Sequence, residues 1–136
     1  MRGKHVDKLK LVLLATMMVA PVVAHHSFTM FDMTKRITLN GTVTAFEWTN
    51  PHCYIEIDVP DESGAAKHWS IELGSPSILL RSGWKYSDVK PGDKVTVIVN
   101  PLRDGRPGGM LYRLTLPDGS MRGNGVPPPP DPPATR

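Results

Sequence analysis

The chain has 136 residues, a formal net charge of +3 and a single cysteine, Cys53, so it is sized for one small domain and cannot hold an internal disulfide. The basic excess is confined to the start: Arg2, Lys4, Lys8 and Lys10 stand against Asp7, and residues 25–136 hold equal numbers of acidic and basic side chains. A chain neutral over its domain lacks the basic stripe of a nucleic-acid binder.

Residues 1–24 read as a secretory signal peptide: a basic start, the apolar run LVLLATMMVA from Leu11 to Ala20, then PVVA. The run is about half of the roughly 20 residues a membrane-crossing helix needs, so contact with the membrane is expected only during export. Val22 and Ala24 fit the small-residue slots, whereas a cut after Ala20 would place Pro21 directly behind the scissile bond. Cleavage after Ala24 leaves a periplasmic or secreted protein that begins His25, His26, Ser27, Phe28.

An amino-terminal arm, 25–36, leads to the expected domain, 37–121. ITLNGTVTAFEWT places Ile37, Leu39, Val43 and Ala45 at period two, with Gly41 as the point of a bend or bulge. HCYIEIDVP alternates Cys53, Ile55, Ile57 and Val59 with His52, Tyr54, Glu56 and Asp58, the pattern of a strand buried on one face. After the turn DESG, Trp69, Ile71 and Leu73 alternate with His68, Ser70 and Glu72. SPSILLRSG predicts a short helix over 76–82, with Ser75 as cap, Pro76 in the first turn and Gly83 closing it. The turn KPGD opens a fourth strand with Val95, Val97 and Val99 inward, and the loop RDGRPGG leads to a fifth, MLYRLTL. Residues 122–136, with PPPPDPP at their centre, read as a Pro-rich solvated tail.

Three strands, a helix and two strands predict an all-β chain with one short helix, folded as a small five-stranded, partly open OB-like barrel. A generic β-sandwich has no reason for a helix at that point.

The stretches AHHSF, LNGTVTAFEWTNPHCYIEIDV, ELGSPSILLRSGW, KPGDKVTV and PLRDG, in this order, resemble the bacterial family of exported proteins designated DUF6152. The resemblance implies a small exported β-rich domain without an assigned activity.

The residues with chemistry to offer are the histidines. A terminal His25 can close a chelate on a metal ion through its α-amine, which titrates near 7.7–8.0, and Nδ1, and imidazole suits copper and zinc. His26 supplies a second imidazole, and His52 at the first interstrand loop is the candidate domain ligand; copper is the favoured metal. The alternative reading makes His25 and His26 polar residues behind a cleavage site, and His52 a hydrogen-bond partner of the turn at NPH. Cys53 reads as a buried apolar residue, His68 as solvated, and Trp69 and Trp84 as core.

A second candidate surface joins Trp48, Asn50 and His52 to Arg103, Asp104 and Arg106, on the two loops with which OB barrels commonly bind, and would serve a protein or small-ligand partner without metal. No phosphate loop, nucleophile elbow or metalloprotease helix is present, so no enzymatic reaction is expected.

Overall fold

The computed structural model describes residues 28–125. The expected leader, His25, His26 and the PPPPDPP segment lie outside the described residues.

Strands β1 (Ile37–Glu47), β2 (Tyr54–Pro60) and β3 (Ala66–Glu72) form an antiparallel meander. Helix α1 (Pro76–Arg81) and a 3₁₀ turn (Tyr86–Asp88) come next, then β4 (Lys94–Pro101) and β5 (Gly108–Thr115). β4 pairs with β1 and with β5, and β5 returns parallel to β3 through Ser70 with Gly108, Ile71 with Gly109 and Glu72 with Met110. The cyclic order β1-β2-β3-β5-β4, with a helix between β3 and β4, is the OB barrel. It is closed rather than partly open, by those three parallel pairs.

The interior follows the alternation. Ile55, Ile57, Ile71, Val97, Val99, Leu111 and Leu114 are fully buried, and Cys53 with them. Ser75 caps α1 by accepting from the Ile78 amide, and Gly83 takes φ +86°, the left-handed conformation that ends the helix without a Cβ clash. Leu79 and Trp84 seal one end of the core, and Trp69 packs half-buried at its margin.

Two features depart from the expected phase. The bulge in β1 falls at Thr44, between the pairs Val43–Ile57 and Ala45–Glu56, not at Gly41. The extra residue shifts the phase, so Phe46 is buried where Ala45 was expected, because the larger ring gains more from leaving water. Gly41 instead serves close approach: a Cβ there would stand 2.8 Å from the Asp58 carbonyl of β2. A second bulge leaves Tyr112 unpaired and lets both Leu111 and Leu114 face inward.

The ends of the domain also differ from expectation. The arm is docked from Phe28 onward: Phe31 is 2% exposed and bridges to Leu102, and the Asp32 amide donates to Pro101 O at 2.8 Å. Asn100, a buried amide, donates to Lys35 O at 2.7 Å and Met33 O at 3.4 Å. At the other end a short strand, β6 (Met121–Arg122), pairs with β5, and Arg122 reaches Asp88 at 3.2 Å. The described chain then continues over α1: the Trp84 indole donates to Gly123 O at 2.8 Å, and the Gly74 amide donates to Asn124 O at 3.2 Å. Residues 122–125 therefore belong to the packed domain and not to a solvated tail.

Candidate functional site

The loop between β1 and β2 turns through a cis Asn50–Pro51 bond, and the Thr49 hydroxyl donates to His52 O at 2.9 Å. This turn delivers His52 to the position two residues ahead of β2, where its ring meets Glu72 of β3. The His52 Nδ1 stands 2.5 Å from Glu72 Oε1, and Tyr54 is the register partner of Glu72 across β2 and β3. Burial pushes the Glu72 carboxyl up from its ordinary range, an effect the His52 ring and Tyr54 partly offset. Tyr54 in turn is held above the usual phenol value, first by burial and then by the Glu72 charge.

His52 and Glu72 border a cleft of about 480 Å³, whose other walls include Phe28 from the arm, Leu73, Ile78 of α1 and Met110 of β5. Of the residues expected at a binding surface, this cleft gathers His52 alone. Trp48 lies half-buried with its ring edge-on to Phe46 at 5.5 Å, in an aromatic cluster that also holds Tyr86 and Trp84. Asn50 is exposed at the turn. Arg103 is committed to the arm: its Nε donates to Thr29 O at 3.1 Å and its amide to Met30 O at 2.9 Å. Asp104 and Arg106 pair with each other at 2.7 Å. The arm lies against the second of the two loops through Arg103.

Cys53 is buried, and burial pushes its thiol up, in keeping with an apolar role. His25 and His26 fall outside the described residues. Among the described residues no group of three His, Cys, Asp or Glu side chains is arranged to hold a metal ion.

A family model described as a family of unknown function, DUF6152, matches residues 13–112. The chain belongs to the DUF6152 family. No curated protein matches this DUF6152 chain. Two solved structures of a mitochondrial single-stranded DNA binding protein from S. cerevisiae are similar to it at TM-scores of 0.44 and 0.41 and identities of 13% and 15%. The matches cover 63% and 60% of the DUF6152 chain and 97% and 92% of the yeast chains. Strand order and closure, rather than this likeness, carry the OB assignment.

Sequence reasoning did not pair Glu72 or Tyr54 with His52, nor did it place Phe28 and Met110 beside them. The signal for the first pair was available: the DESG turn sets the β2–β3 register, and Tyr54 falls opposite Glu72 with both on the outward face.

The same register corrects the reading of His68 as merely solvated. Its Nδ1 meets Asp58 Oδ1 and its Nε2 meets Glu56 Oε2, each at 2.9 Å, while Ser70 donates to Glu56 at 2.7 Å. The Asp58 bond above all, with the bond to Glu56 and both carboxylate charges, raises the His68 pKa above its ordinary 6.5, against an opposing effect of burial. A raised folded-state pKa contributes stability that is full below about 6.5 and fades as pH rises through the folded value. The ring remains exposed, so the contribution is small. His68→Ala is expected to lower the melting temperature more at pH 5.5 than at pH 9, and equal losses at both would contradict the bridge.

Proposed function

We propose that this DUF6152 protein is an exported, non-catalytic binding domain. Its processed amino terminus, through His25 and His26 together with His52, holds a transition metal ion, with copper favoured. The observation that carries this reading is that Phe28 and His52 border the same cleft. His26 precedes Phe28 by two residues and His25 by three, and at 3.8 Å per Cα step they stay within about 8 and 11 Å of it. The arm is pinned at Phe31 and its first described residue, Phe28, borders the cleft with His52, which supports a short reach from the processed terminus to that ring.

The environment of His52 supports the same role. A metal-binding imidazole commonly donates its other ring N–H to a carboxylate, which sets the tautomer, and Glu72 occupies that position. The basic start, apolar run and small residues before His25 support export, and the balanced charge beyond residue 24 supports a partner other than nucleic acid.

Titration calorimetry with Cu(II) and Zn(II) tests the reading on protein whose amino terminus has been verified as His25 by mass spectrometry. Acetylation of the His25 α-amine removes it from the chelate, and His52→Ala removes the domain ligand. Each change is expected to weaken Cu(II) binding by at least about tenfold. Equal affinity in all three proteins would remove the metal site.

A further inference from the structure

The cleft beside His52 has a polarity of its own. Phe28, Pro51, Leu73, Ile78 and Met110 give it largely carbon walls, and His52 with Glu72 forms its charged end. Its volume of about 480 Å³ falls among small-molecule sites, which span about 300–1,000 Å³.

Glu72 fixes what that end can do. An ionised carboxylate only accepts hydrogen bonds, so the proton between it and His52 belongs to Nδ1, and in a neutral imidazole held this way the unshared pair is on Nε2. Among the described residues Nε2 has no hydrogen-bond partner. The cleft thus offers an acceptor next to a negative charge, and among the described residues no Lys or Arg lines it. An anionic head would be repelled by Glu72 and would find no Lys or Arg among the described residues that line the cleft. A purely apolar occupant would leave the Nε2 acceptor dry and unpaired, at a cost of about 1–3 kcal/mol. Phe28 and the Met110 thioether favour an aromatic body, through ring and sulfur contacts.

We propose that this cleft binds small aromatic molecules carrying one hydrogen-bond donor, neutral or cationic, which is delivered to His52 Nε2. The site requires no metal. A metal ion on Nε2 competes for the same electron pair, so the test is made on processed protein freed of metal with a chelator.

Four probes of one shape separate the determinants: toluene, p-cresol, 4-methylbenzylamine and p-toluate, titrated by calorimetry or by NMR shift changes. p-Cresol and 4-methylbenzylamine are expected to bind at least about tenfold tighter than toluene, with p-toluate weakest. His52→Ala is expected to erase the advantage of p-cresol over toluene while leaving toluene binding in place. Met110→Trp, which fills the cleft, is expected to weaken p-cresol by at least about tenfold. Ile78→Trp fills it from the helix side and takes its place if Met110→Trp does not fold. Binding of p-toluate as tight as p-cresol, indifference to the cleft-filling variants, or no saturable binding of any probe would overturn the proposal.

Discussion

Trp84→Ala is expected to destabilise the domain by about 3–5 kcal/mol, the range for truncating a buried tryptophan. The indole is 2% exposed, packs on Phe46 at 6.0 Å between ring centres, and closes the barrel end beside Leu79. It also donates to Gly123 O at 2.8 Å, so the change removes both a core side chain and the anchor of the last described segment. For a domain of about 100 residues each kcal/mol moves the melting temperature by roughly 4–8 °C, and calorimetry or circular dichroism will read a drop of more than 10 °C. Trp84→Phe separates the two roles. It keeps most of the buried surface and strands the Gly123 carbonyl, so a smaller loss of about 1–2 kcal/mol is expected, with faster proteolysis after Met121. A melting temperature within 3 °C of the parent for Trp84→Ala would mean that the barrel end is not sealed as described.

Phe31→Ala is expected to have the next largest effect, and of a different kind. Phe31 is buried but stands apart from the main core cluster, holding the arm against Leu102 while Asp32, Arg103 and Asn100 supply the hydrogen bonds around it. Its truncation is expected to cost about 3 kcal/mol, mostly by local release of the arm. Hydrogen exchange distinguishes local from global loss: the amides of Asp32 and Arg103 should exchange rapidly while those of β2 and β3 stay protected. The cleft loses its Phe28 wall at the same time, so p-cresol binding should weaken in parallel. Uniform deprotection across the barrel would show that the arm is part of one cooperative unit.

The barrel was readable in the sequence because burial at period two is a local signal. Ile55 and Ile57 on β2, Val95, Val97 and Val99 on β4, and the Ser75, Pro76 and Gly83 punctuation of α1 each declare their element within a few residues. Bulges are not declared in this way. Thr44 carries nothing that marks it as the extra residue, and only pairing with β2 reveals that Phe46 and not Ala45 turns inward. Docking of the arm was equally hidden, since one buried ring at Phe31 in a polar stretch has no period to betray it. The same holds at the far end, where Gly123 and Asn124 look like linker and are bound through their carbonyls.

The candidate site was half legible. His52 stands out as a histidine in the loop that enters β2, but its chemistry depends on Glu72, twenty positions away on the next strand, and pairing registers rather than residue types bring the two together. The contact of Arg103 with the arm was not legible either: its Nε donates to the Thr29 carbonyl, a long-range bond that no local pattern announces.

The parallel contact between β3 and β5 has a consequence for how occupancy and folding communicate. Glu72 and Met110 are register partners in that contact, and both also border the cleft. Whatever fills the cleft therefore straddles the seam where the cylinder shuts, and acts as a rivet across its shortest row of pairs. Saturating occupant at a hundred times its dissociation constant would add about 2.7 kcal/mol to the shut form, which makes a simple melting scan a screen for the natural guest.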